Sequence, residues 1–185
     1  FLGYARQVVQ QAELLEEKYL LGRAAKQRFS VSTQHYAFTA NAFVDLIKEF
    51  GSDEFEFTLR ETRTFDIIDD VKNLRSELGV LYLSDFNEKV ITKLLKESAL
   101  EFHPLFTASP HVLIRREHPL AVRRSVTLAD LEEYPCLTIE QGEHNSFYFS
   151  EEILSTLEHK KSIRVTDRAA MINLIIGVDA YTVAT

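Results

Sequence analysis

The chain is short of the features that mark several protein classes. It has a single cysteine, Cys136, so no internal disulfide can form and a disulfide-stapled scaffold is excluded; a reducing compartment suits it. No uninterrupted apolar run reaches the roughly 20 residues a bilayer-spanning helix needs. The opening FLGYARQVVQQAELLEEKYL lacks a basic stretch ahead of a continuous hydrophobic one, which excludes a secretory signal. These absences point to a cytoplasmic protein. Basic residues are in deficit, 21 Lys and Arg against 28 Asp and Glu for a net charge of −7. This piece therefore repels a phosphate backbone at long range, and non-specific nucleic-acid binding is not expected of it. The G-x-S-x-G, H-E-x-x-H, G-x-x-x-x-G-K and G-x-G-x-x-G signatures are all missing, and Cys136 sits in an apolar strand where a buried, inert thiol is expected. No catalytic residue is assigned.

What is present is an ordinary globular composition, 185 residues with 45% hydrophobic and 26% charged, enough for one good core or two modest lobes. In residues 1–21 the apolar positions Leu2, Ala5, Val8, Val9, Ala12, Leu15, Tyr19 and Leu20 recur at spacings of three and four, which predicts an amphipathic helix. The polar run from Gly22 to Arg28 separates it from the next apolar element. A connecting helix that pairs with a second chain fits this better than one packed on its own domain.

From Phe29 the pattern alternates between periods of two and of three to four. A strand over 29–33 leads into a helix carrying Phe38, Phe43, Leu46, Ile47 and Phe50, stopped by Gly51, and a second strand spans 55–59. Thr64 is expected to cap a helix with Ile67, Ile68, Val71 and Leu74, whose Asp66, Asp69 and Asp70 favour its positive end. The run 80–83 reads as a strand covered on both faces. This is an α/β unit with a parallel sheet. A helix over 88–100 follows. Beyond it the sequence predicts a strand 136–139, a polar loop 140–146, a helix to about His159, a strand 162–166, a helix 167–176 and a strand 178–184. The expected division is a linker helix over 1–22, a first lobe over 23–107 and a second over 108–185.

Between the halves lies EFHPLFTASPHVLIRREHPLA, with Pro104, Pro110, Pro119, His103, His111 and His118 around one short apolar run. A histidine metal site would need these side chains to converge, and spacings of seven or eight in extended chain do not provide the i, i+4 pairing of a helical site. A segment that crosses from one lobe to the other explains the prolines instead. No metal site is assigned there or at Glu140, Glu143 and His144. The polar loops at strand ends remain. Ser32, Thr33, Gln34 and His35 close the first strand and open a helix; Thr62 and Thr64 follow the second. Gln141, His144, Asn145 and Ser146 form the corresponding loop later, and Thr166 precedes another helix. In open α/β sheets, ligands bind beyond the carboxyl ends of the strands. Hydroxyls, helix amino termini and His35 suit a small carboxylate or polar anion, and neutral polar metabolites equally.

The connecting helix FLGYARQVVQQAELLEEKYL, the loop SVSTQHYAFTANAF, the stretch HPLFTASPHVLIRREHPLA and the later SVTLADLEEYPCLTIEQG, taken in that order, resemble LysR-type transcriptional regulators from the end of their linker helix through most of the effector-binding domain. The resemblance implies a two-lobed, type II periplasmic-binding-protein-like α/β fold with a small-molecule inducer between the lobes. It implies no other cofactor. It also implies homodimers or homotetramers formed through linker helices and effector domains, and promoter DNA as a partner through a winged helix-turn-helix outside this sequence. Effector contacts carry over to Ser32, Thr33, Gln34, Thr64, Gln141, His144, Asn145 and Thr166. The family's glycine-rich run ending in Leu-Pro is replaced here by Gly177-Val178-Asp179-Ala180-Tyr181-Thr182-Val183-Ala184. The return of the chain to the first lobe is expected beyond this sequence. A solute-binding protein of a transport system shares the architecture, as do some enzymes. The signal-free amphipathic helix disfavours the first, and the missing catalytic signatures disfavour the second.

Overall fold

The structure, a computed structural model, describes residues 27–50 and 54–185, together with Ala5, Val8, Val9, Ala12, Glu13, Leu15 and Glu16 of the amino-terminal stretch, all helical. The other positions of that expected helix, and Gly51 as a helix stop, lie outside the described residues. The chain forms two compact units, Phe1–Leu81 with Leu94–Leu100, and Tyr82–Lys93 with Glu101–Thr185. Tyr82 hydrogen-bonds within the second unit, its hydroxyl donating to the carbonyl of Ser150.

The first unit is built on a parallel sheet of order β2-β1-β3, with β1 Gln27–Thr33, β2 Phe55–Glu61 and β3 Leu78–Val80. Helix α1 (Ala37–Phe50) connects the first two strands and α2 (Thr64–Lys72) the second and third. Alternation along β1 separates two kinds of surface. Phe29 meets its register partner Phe57 edge-on, and Phe57 in turn packs against Phe43 and Phe50 of α1. The opposite face of β1 carries Ser30 and Ser32, toward α2 and the turn after it. There α2 buries Ile67 and Ile68.

Gly79 is the tight point of that packing. A Cβ there would lie 2.8 Å from Ile67 Cγ2 and 3.1 Å from Val71 Cγ2.

The second unit holds β5 (Cys136–Ile139) parallel to β6 (Ser162–Val165), and β4 (His111–Leu113) antiparallel to β7 (Thr182–Ala184). Helix α3 (Glu88–Glu97) runs across the division in the chain, α4 (Leu128–Leu131) precedes β5, and α5 (Arg168–Gly177) follows β6. Strand β5 is covered on both faces. Leu137 and Ile139 cluster with Val165, Met171, Ile175 and Ala180, while Cys136 joins Leu120, Leu131 and Tyr181. This accounts for its mainly apolar sequence, in which Thr138 is the one half-buried position. Thr127 and Asp130 form a reciprocal capping box that starts α4 after only a few polar residues.

Several expected elements are shorter or absent. The run 80–83 joins the sheet only through Val80, because β1 ends at Thr33 and offers no ladder beyond it. Thr64 is the first residue of α2 rather than its cap, a position taken by Arg63 without a side-chain bond. Leu74 lies past the helix at φ 57° and half exposed. No helix forms over 147–159. Only a 3-10 turn, Phe147–Phe149, appears there, and Leu154 takes φ 68°, which breaks a right-handed run. Leu154 and Leu157 are exposed, so no apolar face would have stabilised such a helix. The last strand pairs with β4 only over Thr182–Ala184, the length that partner provides, and Tyr181 before it bridges to Cys136 instead.

Replacing Gly79 by alanine is expected to cost about 1–3 kcal/mol of stability through overpacking. Urea unfolding of the variant measures it; a midpoint equal to that of the parent would show that α2 is not seated on β3.

Candidate functional site

In the first unit the carboxyl ends of β1 and β2 are joined through Gln34. Its N–H donates to the Val80 carbonyl at 3.1 Å, and its Nε2 donates to Thr64 Oγ1 at 2.6 Å. The Tyr36 hydroxyl donates to Gln34 Oε1 at 2.9 Å. The Thr33 hydroxyl donates to the Gln34 carbonyl at 2.9 Å and pairs with Thr39 Oγ1 at 3.0 Å. All of Thr33, Gln34 and Thr64 are buried, and His35 and Tyr36 are half-buried beside them.

Ser32 points the other way. It lies inside the ladder, and its hydroxyl donates to Asp70 Oδ2 at 2.6 Å and pairs with Ser76 Oγ at 2.8 Å. Arg75 Nε closes the group on Asp70 Oδ1 at 2.9 Å. The helix-dipole reading of the three aspartates therefore accounts for Asp66 in the first turn, whereas Asp69 and Asp70 both pair with Arg75.

In the second unit β5 passes into a loop over 140–151. Glu140 N–H still follows the ladder, donating to the Val165 carbonyl at 2.8 Å. Gln141 is buried at the root, with Nε2 3.3 Å from Glu151 Oε1. Gly142 at φ 62° opens the 3-10 turn Gly142–His144, a conformation that favours glycine. His144, Asn145 and Ser146 are exposed on this loop, and the His144 ring meets Phe149 edge-on at 6.2 Å. Thr166 is exposed after β6, and the α5 terminus beyond it is capped by Asp167, which accepts from Ala170 N–H at 2.7 Å.

The loop is fastened from below by residues that the sequence patterns did not single out. The Tyr82 hydroxyl donates to the Ser150 carbonyl at 3.0 Å. Glu152 is buried and accepts from Ile139 N–H at 2.7 Å and from Ser150 Oγ at 2.9 Å. Burial, followed by the Glu152 and Glu151 carboxylates, pushes Tyr82 up to about 12, so it stays a donor at neutral pH. Burial is also the main cause that raises Glu152 to about 7, against the bonds from Ile139 and Ser150 that lower it. Cys136 rises to about 11, again mainly by burial, which keeps it an unreactive thiol. In sequence Glu151 and Glu152 fall within the helix expected to reach about His159, and Tyr82 within the strand expected over 80–83; no local pattern distinguished them.

The histidines of the crossing segment are used separately. His103 is exposed near Glu101, His111 is exposed on β4, and His118 is buried with Nδ1 accepting from Leu120 N–H. Among the described residues no three His, Cys, Asp or Glu side chains come together as a metal site.

Residues 27–183 match the LysR substrate binding domain. The chain belongs to this family. No curated protein matches the sequence. Among solved structures it is similar to HinK, a LysR family transcriptional regulator from Pseudomonas aeruginosa, with TM-score 0.54 and 17% identity over 98% of this chain and 60% of that one. It is likewise similar to the oxidized form of OxyR, with TM-score 0.54 and 18% identity over 86% of this chain and 71% of that one. At such identities the likeness establishes the fold, a type II periplasmic-binding-protein-like α/β domain. The chain thus spans about 60% of the length of HinK.

In this LysR domain the buried Ser32–Asp70 bond is structural, linking sheet to helix. Ser32→Ala is expected to cost about 1–3 kcal/mol, because Asp70 loses a donor in a dry setting. A double-mutant cycle with Asp70→Ala in urea unfolding measures the coupling, and additive losses would remove the bond from that role.

Proposed function

We propose that the chain is the ligand-sensing part of a cytoplasmic LysR-type transcriptional regulator, and that strand-end loops in both units contact a small polar inducer. The family match over residues 27–183 carries this reading. Gln34 and Gln141 are the central contacts: each is a buried amide at the end of a strand, able to present both a donor and an acceptor once a ligand displaces its internal partner. Thr33, His35 and Thr64 flank the first, while His144, Asn145 and Thr166 supply the outer rim. Ser32 acts through the fold, since its hydroxyl is held by Asp70 and Ser76. Small carboxylates and neutral polar metabolites both suit these amides and hydroxyls. Inducer binding shifts the population between two arrangements of the regulator, by no more than its differential affinity for them. Promoter DNA is reached through a helix-turn-helix domain of the full-length regulator.

Self-association is part of the proposal. Val8, Val9 and Leu15 are exposed on the amino-terminal helix, Val44 and Ile47 on α1, and Ile172 and Ile176 on α5. A second copy packed on these helix surfaces would remove such apolar pairs from water.

Mass spectrometry of the regulator purified without refolding is expected to show a bound metabolite. Calorimetry with that metabolite is expected to give about tenfold or weaker affinity for Gln34→Ala and Gln141→Ala, a loss of roughly 1.4 kcal/mol or more. Unchanged affinity in both variants would remove the strand-end assignment. For the oligomer, Ile172→Asp combined with Ile176→Asp is expected to shift sedimentation toward a smaller species, and an unaltered profile would take α5 out of the interface.

A further inference from the structure

The N–H groups of β5 show where the second unit's sheet gives out. Cys136 and Glu140 donate toward the β6 side, to the carbonyls of Lys161 at 2.9 Å and Val165 at 2.8 Å. Leu137 donates the opposite way, to the Tyr181 carbonyl at 2.7 Å. Ile139, two residues on, points to that same second side, but past Tyr181 the chain enters β7 and pairs with β4. A buried N–H without a ladder partner must find another acceptor. It finds the Glu152 carboxyl, 2.7 Å away.

This bond joins the residue just before the loop over 140–151 to the residue just after it. A closed neck of this kind defines a compact loop held by its own side chains. The second carboxyl oxygen accepts from Ser150 Oγ at 2.9 Å, and the Tyr82 hydroxyl holds the Ser150 carbonyl. The neck therefore determines how the loop presents Gln141, His144 and Asn145.

We propose that Glu152 is a positioning residue of the sensor, a proton-dependent clasp on the neck of the loop over 140–151. Its consequence for inducer binding rests on the reading of that loop as an effector contact; the clasp itself does not. The titratable groups facing the carboxyl are Glu151 on its own segment, Tyr82 ahead of α3 and Cys136 on β5. Tyr82 and Cys136 are neutral near pH 7 and Glu151 is a second acid, so these three neighbours supply no positive charge. As a neutral acid Glu152 accepts from Ile139 and exchanges one hydrogen bond with Ser150. Ionised, it holds a charge in a buried place with two donors.

The sign follows from the carboxyl's raised value of about 7. In the unfolded chain the group ionises in the ordinary glutamate range near 4.3. Between those values the folded state binds more protons. Its contribution to stability is greatest at the acidic end of the window and falls as pH rises toward and through 7. The clasp holds at mildly acidic pH and loosens above neutrality.

The test uses the 185-residue chain and Glu152→Gln, a neutral isostere that still accepts from Ile139. In the parent, the NMR protection factor of the Ile139 amide, corrected for intrinsic exchange, is expected to fall about tenfold between pH 6 and 8. It is expected to stay level in Glu152→Gln. Over the same range Tm of the parent should drop by about 4 °C more than that of the variant. A pH-invariant protection factor in the parent, or a variant whose two profiles track the parent's, overturns the clasp. Neither readout uses an inducer, so a failed inducer search leaves the clasp standing, and an inducer that binds a chain with pH-invariant protection leaves the sensor standing without it.

Discussion

A parallel ladder ends with N–H groups that still require acceptors, and the carboxyl ends of β1 and β5 are both built around that requirement. In the first unit, Gln34 N–H takes the Val80 carbonyl as the chain leaves β1 for α1. In the second, Ile139 N–H takes a buried carboxyl. In the first case the acceptor is the main-chain carbonyl of a neighbouring strand, and in the second it is a side chain from beyond the following loop.

The two faces of the first unit's sheet solve different problems. Toward α1 the contact is aromatic, with Phe29, Phe43, Phe50, Phe55 and Phe57 in mutual edge and stacked arrangements. Toward α2 it is mixed, with Ile67 under Gly79 and a buried polar group formed by Ser32, Asp70 and Ser76. Satisfied polar clusters of this kind select one register, because a one-residue slip of β1 would exchange the serines for phenylalanine and valine. Ser32 and Thr33 are neighbours in sequence and serve opposite faces. Only the second belongs with the strand-end group.

An acidic chain, with a net charge of −7, is not suited to holding a phosphate backbone by long-range attraction. Its carboxylates are also used internally: Asp70 under the sheet, Asp130 in a capping box, Asp167 at the start of α5 and Glu152 at the loop neck. Each accepts from a backbone or hydroxyl donor at short range, so none of these oxygens is buried without a hydrogen bond. The remaining polar equipment of the strand ends consists mainly of amides and hydroxyls, groups that can exchange an internal partner for a ligand without leaving a charge exposed or buried.

Periodicity in the sequence was sufficient for most of the alternation of strands and helices, for the buried Cys136 in its apolar strand and for the exposed apolar positions of the amino-terminal stretch, because side-chain spacing and local burial report on each other directly. The order of HPLA, SVTLADL and EYP after an apolar strand was sufficient for the family. Tertiary structure decided the rest. It spent the Ser32 hydroxyl on a helix 38 residues away, cut the run 80–83 to a single paired residue where β1 stopped, and left 147–159 without a helix, with Leu154 in a left-handed conformation. It also brought Tyr82 and Glu152 to one loop. Such outcomes depend on which distant group supplies a missing acceptor or a missing apolar neighbour, and no local spacing encodes that choice.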